Sequence, residues 1–184
     1  IKYFDKENNN LKLINRYKSD SLIDQIYQNG YNHQYYSNLG NLKSEGIIQN
    51  HLFQGIWKFY RKDGKTIKQI VEYKNDTLNG IREDYWLNGN IKTKTTNLKG
   101  KIHGLLTEYF ENGKLKSKCK YWFDKKKDTS KFYYENGNLK KLAIVELDTI
   151  SGLSSKAIFE YYETGEFKQV LKSKDSTLTG KVKV

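Results

Sequence analysis

A chain of 184 residues and 21.7 kDa has the length of one domain or one repeat array, which excludes a large multidomain enzyme. Its composition, 36% hydrophobic and 29% charged with a mean hydropathy of −0.85, leaves too little apolar material for a thick core. Its 15 Tyr, 8 Phe and 3 Trp exclude a disordered chain, and its net charge of +12 raises nucleic acid or anionic lipid as partners.

The charge is spread along the chain rather than concentrated. Residues 1–50 carry +1, 51–100 carry +5, 101–150 carry +4 and 151–184 carry +2. The one basic run, Lys125-Lys126-Lys127, reads as a solvated loop. No apolar stretch is long enough for a membrane-spanning helix. The lone Cys119 rules out an intramolecular disulfide and leaves the compartment undetermined. The chain starts at Ile1 without an initiator Met, so either a processed N-terminal segment or further residues are expected before it, a cleaved export signal being one explanation among several. The corresponding locations are the cytoplasm or, if an N-terminal signal was removed, the cell envelope.

In chain order, Tyr3-Phe4 and Leu11–Tyr17, separated by Asn8-Asn9-Asn10, read as a worn hairpin over residues 1–29 that caps a repeat array. From residue 30 onward that repeat dominates. Gly40, Gly64, Gly89, Gly113, Gly137 and Gly165 recur at spacings of 24, 25, 24, 24 and 28, each with a Tyr four residues earlier. A second series, Gly30, Gly55, Gly80, Gly104, Gly152 and Gly180, marks the other end of the unit, with Asp128 at a degenerate joint. With no Pro in the chain, Asn-Gly and Asp-Gly must form the turns, in two-residue or slightly longer hairpin loops. The last residues, 181–184, alternate like a further strand.

With Asn-Gly as the central pair of a two-residue loop, strand arithmetic sets Tyr85 across from Lys92, Tyr109 from Lys116 and Tyr133 from Lys140. The same arithmetic gives Tyr36 with Lys43 and Tyr161 with Lys168. One extra loop residue at Lys65-Thr66 brings Tyr60 to Lys68. On the opposite face Phe110 meets Leu115, Tyr134 meets Leu139 and Tyr162 meets Phe167. Each phenol ring is thus expected to lie on a lysine stem. Trp57, Trp86, Phe110, Tyr134 and Tyr162 are expected in the core. The predicted fold is all-β: an elongated antiparallel β-meander of about seven tandem hairpins of roughly 24 residues, a single repeat domain over 1–184.

The unit Gly-x-x-x-x-Tyr-aromatic-x-Asn-Gly-x-Leu-Lys, nearly intact in 104–116 and 80–92, resembles the bacterial variant of the MORN repeat found in YwqK-type antitoxin-like proteins. The resemblance covers roughly residues 30–180. It departs from the pattern at Asp128, at the insertion around Ser154–Ala157 and at Ser37.

Catalytic signals are sparse. His33, His51 and His103 lack metal-ligand spacing, and His103 beside Gly104 reads as a solvated turn residue. Asp84, Glu108 and Glu160 recur just before the repeat Tyr, separated by whole units rather than paired in a cleft, and read as solvated or salt-bridged strand positions. Neither an enzyme nor a cofactor nor a metal is expected. A repeat sheet offers a long face rich in Tyr and Trp, which concentrate binding energy, so a non-catalytic protein-binding module is expected. The resemblance narrows this to an antitoxin or immunity protein that neutralises a partner toxin by occluding its surface. A basic platform suits an acidic toxin, and the expected contact residues are Tyr60, Lys68, Tyr85, Lys92, Tyr109, Lys116, Tyr133 and Lys140. The alternative is a peripheral scaffold on anionic phospholipid, and stacking of single-stranded nucleic acid ranks last.

Overall fold

The computed structural model describes residues 2–4, 11–18, 21–27, 29–36, 40–147, 154–174 and 177–183, and among these the regular structure is all strand. Seventeen strands follow in chain order: β1 (Lys2–Phe4), β2 (Leu11–Lys18), β3 (Ser21–Tyr27), β4 (Gly30–Tyr35), β5 (Leu42–Gln49), β6 (Leu52–Tyr60), β7 (Ile67–Lys74), β8 (Thr77–Tyr85), β9 (Ile91–Leu98), β10 (Lys101–Ile102), β11 (Gly104–Tyr109), β12 (Leu115–Trp122), β13 (Lys125–Tyr133), β14 (Leu139–Leu147), β15 (Ser154–Tyr161), β16 (Phe167–Lys174) and β17 (Thr177–Lys183). β1 to β3 form a small antiparallel sheet of their own, so residues 1–29 hold the expected hairpin plus one more strand. From β4 to β17 hydrogen-bonded neighbours are sequence neighbours, the short β10 pairing only with β9. The expected 181–184 strand falls in β17 as far as Lys183, Val184 lying outside the described residues, and β17 closes the order against β16. The chain divides into two units, Ile1–Gly80 and Ile81–Val184.

Two kinds of turn alternate. At one end of the strands the pairs Asn50-His51, Asn75-Asp76, Lys99-Gly100 and Phe123-Asp124 all have positive φ at both residues, the signature of a two-residue type I′ turn. At the other end sit the six Gly-closed loops that carry the repeat. There the Gly113 amide donates to the Phe110 carbonyl at 2.9 Å and the Phe110 amide to the Lys114 carbonyl at 2.8 Å, with Gly113 at φ +83°. Glu111 and Asn112 keep negative φ, so this is a three-residue loop ending in a left-handed glycine. Gly89, Gly137 and Gly165 close identical loops. Asp63-Gly64 lies in a loop one residue longer, closed by Arg61 and Thr66, as Lys65-Thr66 implied.

The longer loop corrects the expected register. Phe110 now faces Lys114, so Tyr109 pairs with Leu115, and a register shift before Glu108↔Ser117 leaves Lys116 as the extra residue of a bulge. Tyr60 pairs with Ile67, Tyr133 with Leu139 and Tyr161 with Phe167, each followed by the same shift. The Tyr36–Lys43 pair fails likewise, since Tyr35 meets Leu42. The expected Tyr–Lys pairs do not form, nor do Phe110–Leu115, Tyr134–Leu139 and Tyr162–Phe167. A loop one residue longer than the Asn-Gly dipeptide suggests moves every pair by one.

Gly55 and Gly104 open a second bulge near the type I′ turns. There Gly55, Ile56 and Trp57 oppose the single residue Gly46, and Asp128, Thr129 and Ser130 oppose Cys119. This is where the cores sit. In the first unit Trp57 is 0% exposed, its ring stacked on Phe53 at 4.0 Å and laid over Gly46, with Ile48, Val71 and Ser44 buried beside it. In the second unit the buried side chains are small or polar: Thr95, Asn97, Ser117, Cys119, Ser130 and Ala143. Of the aromatics expected in the core, only Trp57 is there; Tyr162 is 48% exposed, and Trp86, Phe110 and Tyr134 are half-buried at the loop end.

A methyl added at Gly46 would lie 2.4 Å from the Trp57 ring. Gly46→Ala is therefore expected to destabilise the first unit by about 1–3 kcal/mol in urea melts. The double variant Gly46→Ala/Trp57→Leu should show coupling, costing less than the two single changes added together.

Candidate functional site: a lysine and aromatic ladder

The Gly-closed loops and the bulge behind them create a repeated pairing that the two-residue arithmetic missed. Because Lys116 is the bulge residue, its stem is carried past Tyr109 to the next aromatic, and its ammonium lies 5.9 Å from the Phe110 ring centre. The same geometry sets Lys92 over Trp86 at 4.6 Å, Lys140 over Tyr134 at 5.2 Å and Lys168 over Tyr162 at 5.4 Å. Cation–π contacts at exposed sites contribute about 0.5–1 kcal/mol each. All four lysines are exposed and, among the described residues, none belongs to an ion pair. Successive hairpins are two strands apart, so the four charges recur at about 10 Å along the second unit.

Side chains that reach from one hairpin to the next hold the ladder in register. The Trp86 indole N–H donates to the Tyr109 carbonyl at 3.2 Å, and the Tyr134 hydroxyl to the Tyr161 carbonyl at 3.0 Å. At the loop tips Asn88 and Asn90 both donate to the Glu111 carbonyl at 2.8 Å, and Asn136 and Asn138 to that of Glu163 at 2.9 and 2.8 Å. Asn88 also accepts from the Asn90 amide through Oδ1 at 3.0 Å, and Asn136 does the same for Asn138. An Asp could cap its own loop but could not donate to the neighbour, which explains Asn-Gly over Asp-Gly here. The exception, Asp63, caps only its own longer loop, accepting from the Lys65 and Thr66 amides and the Thr66 hydroxyl; these bonds hold its carboxyl down to about 2.

The eight expected contact residues separate into two groups. Lys92, Lys116 and Lys140 stand exposed on the ladder of the second unit, and Lys68 is exposed on β7 of the first. The tyrosines are half-buried. Tyr60 donates to Glu45 Oε1 at 2.6 Å, where Lys58 (3.6 Å) and His33 (3.4 Å) also meet Glu45. Tyr85 donates to Glu83 Oε2 at 2.6 Å, and Lys94 pairs with Glu83 at 2.7 Å. Burial and then the carboxylate push both phenols up to about 12, while Lys94 and Tyr85 hold Glu83 below the usual carboxylate range. The rungs the arithmetic missed, Trp86, Phe110, Tyr134 and Tyr162, each stand one residue after the repeat Tyr. Counting a three-residue loop would have found them.

The recurring carboxylates are occupied by structure. Asp84 accepts from the Thr93 hydroxyl at 2.7 Å, Glu108 from the Ser117 hydroxyl at 2.6 Å, and Glu160 from the Gln169 amide. They lie in separate hairpins, each bound to the strand opposite. His103 is not a solvated turn residue: it sits at the bulge between β10 and β11, its ring 4.2 Å from Trp122 and 4.7 Å from Phe123. Among the described residues no three His, Cys, Asp or Glu side chains gather as metal ligands.

Bulged strands, Gly-closed loops and side chains bridging each hairpin to the next define a tandem β-hairpin repeat protein. Three stretches, 53–75, 102–122 and 129–144, match the MORN repeat variant, and each is one hairpin folded about a Gly-closed loop. No curated protein matches the chain.

Phenolate titration followed by absorbance should show Tyr60 and Tyr85 ionising near pH 12. Glu83→Gln should lower the Tyr85 value while burial keeps it above 10. Because the folded state holds these protons more tightly, the stability they contribute is complete below pH 10 and is lost between pH 10 and about 12.

Proposed function

We propose that the chain is a non-catalytic binding module whose second unit grips an acidic protein surface along the lysine ladder. The observation that carries this reading is the set of four exposed lysines, each orientated by an aromatic ring and repeating at one per hairpin. A lysine stacked on a ring has already lost much of its side-chain freedom, so less entropy is lost when a carboxylate meets it. Lys118 and Lys131 add to this. They lie directly opposite one another on β12 and β13, an arrangement that costs stability until a partner's negative charge relieves it. The ion pairs of Lys94 with Glu83 and of Arg82 with Asp84 do not involve the ladder lysines, leaving the ladder available. The resemblance to YwqK-type proteins favours a toxin as that partner, neutralised by occlusion of its surface.

The test compares tagged wild type with a Lys92→Glu/Lys116→Glu/Lys140→Glu variant in capture from the native cells, with washes at low and high salt. One stoichiometric acidic protein, retained by the wild type at high salt and lost by the variant, supports the proposal. Sedimentation with anionic vesicles, equally reversed by the variant, in the absence of any such protein would favour peripheral attachment to lipid instead. Retention of the same protein by both chains would remove the ladder from the interface.

A further inference from the structure

The second unit contains a hollow at the place where the first unit seats a tryptophan. In the first unit the three-residue bulge ends in Trp57, whose ring packs on Phe53 at 4.0 Å and is tilted against Phe59 at 6.3 Å, and which faces Val71 across the ladder. In the second unit the same bulge ends in Ser130, which faces Ala143, and the residue equivalent to Phe53, counted back from the bulge, is Lys126. Two aromatics have been replaced by a serine and a lysine, while Phe132 is kept where Phe59 stands. The result is a cavity of about 220 Å³ lined by Lys126, Ser130, Phe132, Lys141, Val145 and Lys156, with Ala143 and Ile158 completing its walls.

The chemistry of the lining is specific. Ser130 is 1% exposed, and its hydroxyl has no hydrogen-bond partner among the described residues, although burying an unpaired hydroxyl is costly. Two ammonium groups converge on one ring: Lys141 stands 4.4 Å and Lys126 5.3 Å from the centre of Phe132. Lys156 adds a third positive charge to the lining. The carboxylate opposite Lys141 in register, Glu160, accepts from Gln169 and makes no ion pair with Lys141. Like charges gathered around an apolar wall, with an unpaired hydroxyl inside, lack an anion.

We infer that this cavity is a binding site for a small aromatic acid, a flat ring carrying a carboxylate. The ring would occupy the space that the Trp57 indole fills in the first unit, against Phe132 and the Lys126 stem. The carboxylate would meet Lys141 and Lys156, and the Ser130 hydroxyl would donate to it or to its ring substituent. The hollow is half-open to solvent, and its volume of about 220 Å³ leaves room for one ring of this class. The site adjoins the ladder, since Phe132 and Lys141 also line a hollow with Phe110, Lys116 and Lys140, but none of the four ladder lysines lines it.

Indole-3-carboxylate is the probe, followed by calorimetry and by amide shifts in heteronuclear spectra of the whole chain. Saturable binding is expected, with shifts centred on Ser130, Phe132 and Ala143, and with affinity at least about tenfold above that of uncharged indole. Acetate, which has the charge without the ring, should not saturate. Ser130→Trp should fill the cavity and abolish binding. Because that variant could perturb the fold, Lys141→Gln and Lys126→Gln, checked by thermal melts, should each weaken binding about three- to fivefold. Absence of saturable binding by wild type up to millimolar ligand would overturn the inference. So would binding undiminished in either lysine variant, or shifts that cluster elsewhere on the chain.

Discussion

The left-handed glycine at the end of each three-residue loop is the constraint on which the rest of the second unit depends. With φ near +90° at Gly89, Gly113, Gly137 and Gly165, the loop spans three residues instead of two, and the pairing of each hairpin moves by one. The bulge beside the loop leaves a lysine without a cross-strand partner on the ladder and carries it over the neighbouring aromatic. That single displacement turns a tyrosine–lysine pairing into a row of orientated ammonium groups. It also frees the repeat tyrosines for other work: Tyr60 and Tyr85 serve Glu45 and Glu83.

The fold is sustained by connections between hairpins rather than by a deep core. Among the described residues of the second unit the buried side chains are serine, threonine, asparagine, cysteine and alanine, which bury little apolar area. Hydrogen bonds that step from one loop tip to the next compensate, made by Asn88, Asn90, Asn136 and Asn138 at one end. At the other end Asp124 of a type I′ turn accepts from the Ile102 amide at 2.7 Å while its own amide donates to the Ile102 carbonyl. In the first unit Asp76 and Phe53 make the same exchange. Some hairpins are thus stitched to a neighbour at the Gly-closed loops and others at the type I′ turns, as expected of a repeat whose stability is shared between neighbours.

Much of this was legible in the sequence. The glycine spacing located all six loops, the alternation gave antiparallel hairpins in chain order, and the extra residue at Lys65-Thr66 was visible as an irregularity. The register was not legible, because an Asn-Gly dipeptide fits both the centre of a two-residue turn and the last two positions of a three-residue loop. The true type I′ turns carry Asn-His, Asn-Asp, Lys-Gly and Phe-Asp, sequences that announce them far less clearly. The core was misjudged for the same reason: once the pairing moves by one, Trp86 and Phe110 lie beside the loop under lysines, and Trp57, at a different place in its repeat, alone fills a core. The hollow at Ser130 was invisible until the bulge showed that it occupies the place of Trp57.

The most direct test of the register is the contact made by Lys116. Nuclear Overhauser spectra of the labelled chain should connect its side-chain methylenes with the Phe110 ring, and ring currents should shift those methylenes upfield. Cross-peaks from Lys116 to Tyr109 instead, with Phe110 facing Leu115, would mean two-residue loops and would contradict the pairing from which the ladder arises.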